Sequence, residues 1–207
     1  MYAEFDIDDI VKDQYSRFFK SKGILVEVGA AHPEILSFSK IFREDGWRCI
    51  SVEPNPYFVE FHKKVGNEIY PYACADYIEE NANFQITKWR YPEDGDLTYE
   101  SFSSINIKQE YIDKEGDPGF IQNINVNITT LDLVLEEAKL EQEIDILIID
   151  TEGWELEVMK GFNHTKYNPK VVILENYIYL ESYNDYMDLI GYKLDKTVEY
   201  NYIYIKK

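Results

Sequence analysis

The sequence predicts an α/β fold in which a mostly parallel sheet carries helices on both faces. Two observations predict it. Apolar runs of strand length alternate with segments of helical period along most of the chain, which is the pattern of a parallel sheet with crossover helices. The chain has 207 residues, a length that favours one domain and allows roughly 70% of its extended surface to be buried. We therefore predict a single domain over 1–207, with a helical extension at 1–22.

The first half of the chain predicts three strands and two helices in alternation. The strands are expected at 24–28, 48–53 and 69–75, where apolar residues run together. Apolar side chains recur at i, i+3 and i+4 over 33–45, which predicts the first helix. A proline opens the second helix, expected at 56–65, because its fixed φ suits a first helical turn.

The second half repeats the alternation. Its predicted strands and helices follow one another as 126–130, 131–140, 144–149, 153–160, 170–174 and 179–190. Thr130 is the expected N-cap of the helix at 131–140, since a threonine hydroxyl can accept a hydrogen bond from the first turn. The tail, 192–205, predicts two strands joined near 199–201.

The segment 79–127 interrupts this regularity. Pro, Gly, Asp and Ser are mixed over 91–119, and loops of this length inside a compact domain are often functional. We predict an insertion or lid here that faces the substrate.

Charge and composition exclude several classes of partner. There are 21 basic and 39 acidic residues, a net charge of −18, and no basic patch interrupts the negative potential, so nucleic acid is not an expected partner. The first ten residues carry four acids and no apolar run of signal-peptide type, and nothing approaches 18 consecutive apolar residues. Cys49 and Cys74 lie in apolar stretches and are expected to be reduced, buried thiols. We expect a soluble, cytoplasmic protein without membrane insertion.

The loop after the first strand can approach a ligand closely. Gly29 lets the backbone come near, and the small Ala30 and Ala31 keep space open. The loop lacks GxGxxG and GxxxxGK[ST], which disfavours a bound pyrophosphate or triphosphate. A tight strand-to-helix turn without a ligand is the alternative.

Acids also follow the second and third strands. Glu53 comes 26 residues after Glu27, which fits one βαβ unit, and an acid there can accept hydrogen bonds from ribose hydroxyls. Asp76, beside the small Ala75, can accept a hydrogen bond from the exocyclic amine of an adenine.

Three more carboxylates follow the later strands. Asp150 and Glu152 come after the run 144–149, and their side chains share one side if the chain stays extended. Glu175 ends the next strand and can join them. Carboxylates this close repel one another unless a cation, a substrate ammonium or a proton neutralises them. The alternative is that Glu152 caps the positive end of the following helix.

An ordered set of segments resembles one known family. The segments are Glu27-Val28-Gly29-Ala30, Gly46-Trp47-Arg48 leading into Val52-Glu53-Pro54-Asn55-Pro56, Thr130-Leu131-Asp132, and Ile149-Asp150-Thr151-Glu152-Gly153-Trp154-Glu155 with its continuation to Gly161. Together they resemble the FkbM family of S-adenosylmethionine-dependent methyltransferases over about 24–205. The pattern D-x-E-G-x-E is the most specific part.

The resemblance implies a class I methyltransferase fold, a Rossmann-like sheet of seven strands with an antiparallel last strand. It further implies S-adenosylmethionine as cofactor and O-methylation of a hydroxyl, often on a sugar or secondary metabolite, so that a sugar or glycan is the expected acceptor. The residues that it places at the cofactor are Glu27, Gly29, Ala30, Ala31, Glu53, Pro54, Asn55, Ala75, Asp76 and Asp150. The chain departs from the family's common Asp, Asn and Lys at Glu27, Ala31 and Ile148.

Candidates for the chemistry follow from the same positions. The expected catalytic residues are Asp150, Glu152, Glu175 and His32, of which His32 acts as the base or only shapes the cofactor pocket. Mg²⁺ or Mn²⁺ held by Asp150, Glu152 and Glu175 is a further hypothesis. The expected substrate contacts are Ser103, Ser104 and Tyr99, and Tyr91, Tyr99 and Phe102 on the lid would suit stacking on a sugar.

Two alternative functions and two further expectations remain at this point. Glu53 after a βαβ unit also suits an NAD-dependent oxidoreductase, although GxGxxG is absent. A module that binds the cofactor without transferring a methyl group is the other alternative to an active enzyme. The chain is expected as a monomer, or as a homodimer through its tail strands. His62, within the helix at 56–65, is expected at the surface.

Overall fold

A computed structural model describes residues 2–87, 103–116 and 120–207. The strands are β1 Ile24–Val28, β2 Arg48–Val52, β3 Glu68–Tyr70, β4 Ala73–Cys74, β5 Glu79–Thr87, β6 Phe120–Thr129, β7 Ile146–Ile149, β8 Val171–Glu175, β9 Tyr192–Val198 and β10 Asn201–Lys206. The α-helices are α1 Ile7–Tyr15, α2 Lys40–Glu44, α3 Pro56–Val65, α4 Gln109–Glu115, α5 Leu131–Glu137, α6 Glu155–Lys160, α7 His164–Tyr167 and α8 Ser182–Leu189.

A seven-stranded sheet forms the centre of the molecule. Its strand order is β3-β2-β1-β7-β8-β10-β9. Neighbours from β3 to β8 are parallel, and β10 runs antiparallel to both β8 and β9. The predicted mixed α/β fold with a mostly parallel, Rossmann-like sheet is therefore confirmed, including its antiparallel last strand.

The third predicted strand, 69–75, is wrong as a single element. The chain forms β3 in the central sheet and then β4 in a second sheet of order β4-β6-β5. Pro71 lies between them, and because proline has no N–H it cannot continue a strand ladder. In the second sheet β6 pairs in parallel with β4 and antiparallel with β5.

The helix predicted at 33–45 is also mostly wrong, since only α2 forms there. Leu36 has a positive φ of 52°, which breaks the helical path. The Arg43 guanidinium donates to the carbonyl of Pro33 and to the hydroxyl of Ser39, so these groups are satisfied outside a helix. By contrast, α3 spans the predicted range, and the Thr130 hydroxyl accepts from the N–H of Leu133 at 3.4 Å as the N-cap of α5.

The core lies on both faces of the central sheet. Val26 of β1 packs with the face covered by α5, α6 and α8, while Leu25 packs with the face covered by α1 and α2. The alternation follows from strand geometry, in which successive side chains point to opposite faces. Cys49 and Cys74 are buried free thiols, as predicted. Within the described part of the chain, no helix is long and apolar enough to span a bilayer.

Candidate functional site

A cavity of about 240 Å³ opens at the carboxyl ends of the central strands. Residues after β1, β2, β7 and β8 line it, together with the start of β10 and part of the N-terminal segment. Open α/β sheets bind their ligands at this edge. The cavity is therefore the candidate active site.

The loop after β1 forms the floor of the cavity. Gly29 has φ +81°, and a Cβ there would lie 1.7 Å from the carbonyl oxygen of Asp150. The N–H groups of Gly29 and Ala30 donate to the carbonyl of Val52 at 2.9 and 3.1 Å. Only glycine fits this crossing of two chain segments, so the predicted close approach of the backbone is present.

Glu53 is held by backbone donors on both sides. Its Oε2 accepts from the N–H of Ala31 at 2.9 Å, and its Oε1 accepts from the N–H of Asn55 at 2.7 Å. Burial raises the pKa of Glu53 to about 7, while these two N–H groups act in the opposite direction. A carboxylate has about four acceptor positions, so Glu53 keeps acceptor capacity for hydroxyls that enter the cavity.

The interpretation of His62 as a surface residue is wrong. Its exposure is 0%, its Nε2 lies 3.0 Å from the carbonyl oxygen of Ala31, and its Nδ1 lies 3.1 Å from the amide nitrogen of Asn67. An amide NH₂ can only donate, so Nδ1 accepts and Nε2 carries the proton. Burial lowers the pKa of His62 to about 4. His62 and Glu53 thus fix the two backbone polar groups of Ala31, a role that the spacing of His62 from the buried Phe58 could have indicated.

Asp150 and Glu175 meet at the ends of neighbouring strands. Carboxyl oxygens of the two residues come within 4.8 Å of each other, so two negative charges there would repel. Burial raises the pKa of Asp150 to about 7, helped by the charge of Glu155. Burial, then the charges of Asp150, Glu152 and Glu155, raise the pKa of Glu175 well above its ordinary value. Among described residues, no donor group reaches the buried Oε2 of Glu175.

Glu155, rather than Glu152, completes the carboxylate cluster. The carboxyl oxygens that come within 4.8 Å of one another belong to Asp150, Glu155 and Glu175. Glu152 has a positive φ of 57°, so the chain does not stay extended after Asp150 as the prediction assumed. Glu152 lines the cavity from a different position.

Glu155 organises its own loop. Its Oε1 accepts from the N–H of Thr151 at 2.8 Å, the hydroxyl of Thr151 at 3.2 Å and the N–H of Gly153 at 3.1 Å, and its Oε2 accepts from the hydroxyl of Tyr183 at 2.5 Å. With Glu155 committed to these donors, Asp150 and Glu175 are the cluster members available to a cation. The three predicted metal ligands are therefore not gathered as a triad, and a metal stays a prediction.

His32 is poorly arranged to act as a base. Its Nδ1 accepts from the N–H groups of Glu34 and Ile35 at 3.1 and 3.2 Å, so in the neutral ring the proton is on Nε2. The ring packs against Phe61 at 4.8 Å between centroids. Among the described residues His32 is not part of the cavity lining.

The two residues predicted to hold an adenine, Ala75 and Asp76, do not lie where the prediction places them. Asp76 is exposed. The carbonyl of Ala75 packs closely on Gly161, and a Cβ added at Gly161 would lie 2.2 Å from that carbonyl oxygen. The cavity wall here is formed instead by Tyr72, Ala73 and Cys74. Neither Asp76 nor Ala75 lines the described cavity.

Of the remaining predicted residues, some line the cavity and others stabilise the segments around it. Pro54, Ser103 and Ser104 line the cavity, as do Glu27 and Ile148. The Glu27 carboxylate accepts from the hydroxyl and N–H of Ser39 at 2.5 and 3.3 Å. The Asn55 side chain caps α3 by accepting from the N–H of Tyr57 at 3.1 Å. Tyr99, with Tyr91 and Phe102, lies outside the described residues.

One wall of the cavity is formed by residues that the sequence pattern does not indicate. Glu4, Tyr177 and Tyr200 line it, and the hydroxyl of Tyr200 donates to the Glu4 carboxylate. The rings of Tyr177 and Tyr200 lie 5.2 Å apart, and Phe5 packs edge-on against Tyr200 at 5.2 Å. No local pattern marks these residues, because they come from opposite ends of the chain.

Comparison with known proteins agrees with this geometry. A family model described as the methyltransferase FkbM domain matches residues 27–202, which is most of the chain. No curated protein matches the chain.

Proposed function

Because the chain belongs to the FkbM methyltransferase family, we propose that it transfers a methyl group from S-adenosylmethionine to a hydroxyl of a sugar or glycan. The single observation that carries the cofactor assignment is that Gly29 and Glu53 lie together at the ends of the neighbouring strands β1 and β2. The close backbone crossing at Gly29 makes room beside β1, and Glu53 presents an oriented carboxylate at the end of β2. These residues fit the two ends of the cofactor, its methionine part and its ribose.

The order of strands supports a direction for the bound cofactor. Glu53, Gly29 and Asp150 follow β2, β1 and β7, and Glu175 is the last residue of β8. These four strands are successive neighbours in the sheet. Strands are about 4.8 Å apart, so the row spans about 14 Å. With the ribose at Glu53, the sulfonium bonded to its C5′ lies near β1 and β7. The acceptor then occupies the part of the cavity next to β8 and β10.

S-adenosylmethionine supplies an electrophilic methyl group when bound. Transfer to an alcohol requires the hydroxyl oxygen in line with the breaking S–C bond and a base for the hydroxyl proton. We assign the base to Asp150, which ends up beside the expected sulfonium position and whose pKa is raised to about 7, first by burial. A pKa near 7 suits a base that works near neutral pH.

Calorimetric titration with S-adenosylhomocysteine tests the cofactor site. We expect wild-type protein to bind it and Glu53→Ala to bind at least tenfold more weakly, a loss of about 1.4 kcal/mol. Glu60→Ala is the matched control, because Glu60 is exposed on α3. Folded wild-type protein that does not bind S-adenosylhomocysteine would overturn the proposal.

Transfer itself is tested with S-adenosylmethionine carrying a ¹³C-labelled methyl group and a panel of mono- and oligosaccharides. We expect a new O-methyl resonance on one sugar carbon in the NMR spectrum. Label found on nitrogen or carbon instead would contradict O-methylation.

A further inference from the structure

We propose that the acceptor is a polyhydroxylated molecule that carries a protonated amine, as an amino sugar does, and that Glu175 holds its ammonium group. The inference rests on the proposed function and adds the charge of the acceptor to it.

The charge of the cavity wall is one-sided. Six carboxylate side chains line it, namely Glu4, Glu27, Glu53, Asp150, Glu152 and Glu175, and the described lining contains no Lys, Arg or His. A phosphorylated sugar, a nucleotide sugar or a uronic acid would bring further negative charge into this field. Like charges at an interface cost several kcal/mol, so anionic acceptors are disfavoured.

The positive charge of the cofactor balances only part of the negative charge of the cavity wall. S-adenosylmethionine carries a sulfonium, an ammonium and a carboxylate, a net charge of +1. In the orientation proposed above, these groups lie beside Glu27, Gly29 and the near side of Asp150. Glu175 and Glu4 stand further along the row, beside β8 and β10, and are left for the acceptor.

Glu175 has the unmet bonding capacity that a cationic ligand would fill. It is 6% exposed, it lines the cavity, and no described donor reaches its Oε2. A carboxyl oxygen of Asp150 comes within 4.8 Å of one of Glu175, and two negative charges at that distance repel. An ammonium group has three N–H donors, so it can bond the Oε2 of Glu175 and balance the negative charge of the two neighbouring carboxyls.

The aromatic wall beside this pair suits a sugar ring. Tyr200 lines the cavity and packs edge-on against Tyr177 at 5.2 Å between centroids, while the Tyr177 ring already has the Lys114 ammonium 3.5 Å from its centroid. Aromatic faces attract cations and pack against apolar C–H faces. The Glu4 carboxylate already accepts from the hydroxyl of Tyr200, and its remaining lone pairs can accept hydrogen bonds from hydroxyl groups of the substrate that receives the methyl group.

The test uses three pyranoses that share a ring and differ in charge: D-glucosamine, D-glucose and D-glucuronate. Each is titrated into the protein saturated with S-adenosylhomocysteine at pH 7. We expect glucosamine to bind at least tenfold more tightly than glucose, and glucuronate to bind most weakly. Glu175→Gln should reduce the preference for glucosamine to less than threefold, whereas Glu143→Gln, an exposed site remote from the cavity, should leave it intact.

Three results would overturn the proposal. The first is equal binding of glucosamine and glucose, or binding of neither, by protein that binds S-adenosylhomocysteine. The second is a preference for glucosamine that survives Glu175→Gln. The third is displacement of glucosamine by Mg²⁺ or Mn²⁺ alone at equal concentration, which would make the pair a metal site. Loss of S-adenosylhomocysteine binding in wild type would instead indicate failure of the proposed function.

Discussion

Asp150 and Glu175 lie side by side because the strands that carry them are in register. Ile149 of β7 pairs with Leu174 of β8, so the next residue on each parallel strand reaches the sheet edge at the same level. The half-buried Asp150 carboxyl and the buried Glu175 carboxyl are thereby held together at a place where neither has a basic partner among the described residues that line the cavity. Such a pair is unfavourable for folding unless it keeps a proton or meets a cation.

The first prediction concerns the stability of Glu175→Gln. The pKa of Glu175 is raised above its ordinary value of 4.5, so the folded protein keeps a proton that the unfolded chain releases. The free energy of unfolding of the wild type therefore falls as pH rises from about 4.5 toward the raised pKa. Glutamine mimics the protonated form and does not titrate.

We expect Glu175→Gln and wild type to be similarly stable at pH 4, and the variant to be more stable at pH 8 by at least about 1 kcal/mol, or 2–4 °C in Tm. Thermal unfolding monitored by circular dichroism across this range measures the difference. Glu143→Gln serves as the exposed control. A variant that is less stable than wild type at pH 8 would show that Glu175 is stabilised by partners in its charged form.

The second prediction separates backbone strain from steric overlap at Gly29. Gly29 and Gly66 have nearly equal φ values of +81° and +80°, but a Cβ at Gly66 meets nothing within 4 Å. Gly66→Ala should cost only the strain of a left-handed residue, about 1–2 kcal/mol. Gly29→Ala must in addition displace the Asp150 backbone.

We expect urea denaturation to show a loss for Gly29→Ala that exceeds the loss for Gly66→Ala by at least about 2 kcal/mol, in the range of overpacked sites. S-adenosylhomocysteine affinity should fall in Gly29→Ala alone. Equal losses of stability would mean that the two chain segments are free to separate.

The third prediction tests His62 as a positioning residue. Removing its imidazole leaves the Ala31 carbonyl without the donor seen at 3.0 Å, and an unsatisfied buried group costs about 1–3 kcal/mol. Because Glu53 accepts from the N–H of the same residue, a displacement of Ala31 would also displace the Glu53 carboxylate at the proposed ribose site. We expect His62→Ala to weaken S-adenosylhomocysteine binding about tenfold.

The conservative variant His62→Gln should recover part of this affinity, since its amide can still donate to Ala31. Lys64→Ala, at an exposed position of the same helix, is the control. If stability falls in His62→Ala while the affinity of the folded protein does not, His62 has only a packing role.

The extent to which the sequence predicts this site follows from the range of the interactions involved. Buried strands are local apolar runs, so the ends of β1, β2, β7 and β8, and with them Gly29, Glu53, Asp150 and Glu175, could be predicted. The turn at Leu36 depends on Arg43 reaching back to Pro33, and a helical period does not reveal such a bond.

The prediction that Glu152 belongs to the carboxylate cluster, where the structure has Glu155, is wrong for a similar reason. A single left-handed residue at Glu152 changes which carboxylate faces Asp150, and a glutamate in that conformation is uncommon. The wall of Glu4 and Tyr200 joins residues 196 positions apart. Pairings at that separation arise from topology, so the sequence pattern near either residue contains no signal for them.

The last prediction concerns the loop that presents Asp150 and Glu152. Glu155 binds this loop through three donors of Thr151 and Gly153, and its other oxygen depends on the Tyr183 hydroxyl at 2.5 Å. Tyr183→Phe removes that donor from a buried carboxylate, so we expect a loss of about 1–3 kcal/mol in urea denaturation. Tyr186→Phe, which removes a longer bond of 3.2 Å to the Met159 carbonyl from a less buried site on the same helix, should lose less than about 1 kcal/mol. The double variant Tyr183→Phe with Glu155→Gln should recover stability relative to Tyr183→Phe, because a neutral amide no longer needs the hydroxyl to balance a buried charge. Failure of that recovery would mean that Glu155 is already protonated in the folded protein and that the loop is held by its geometry alone.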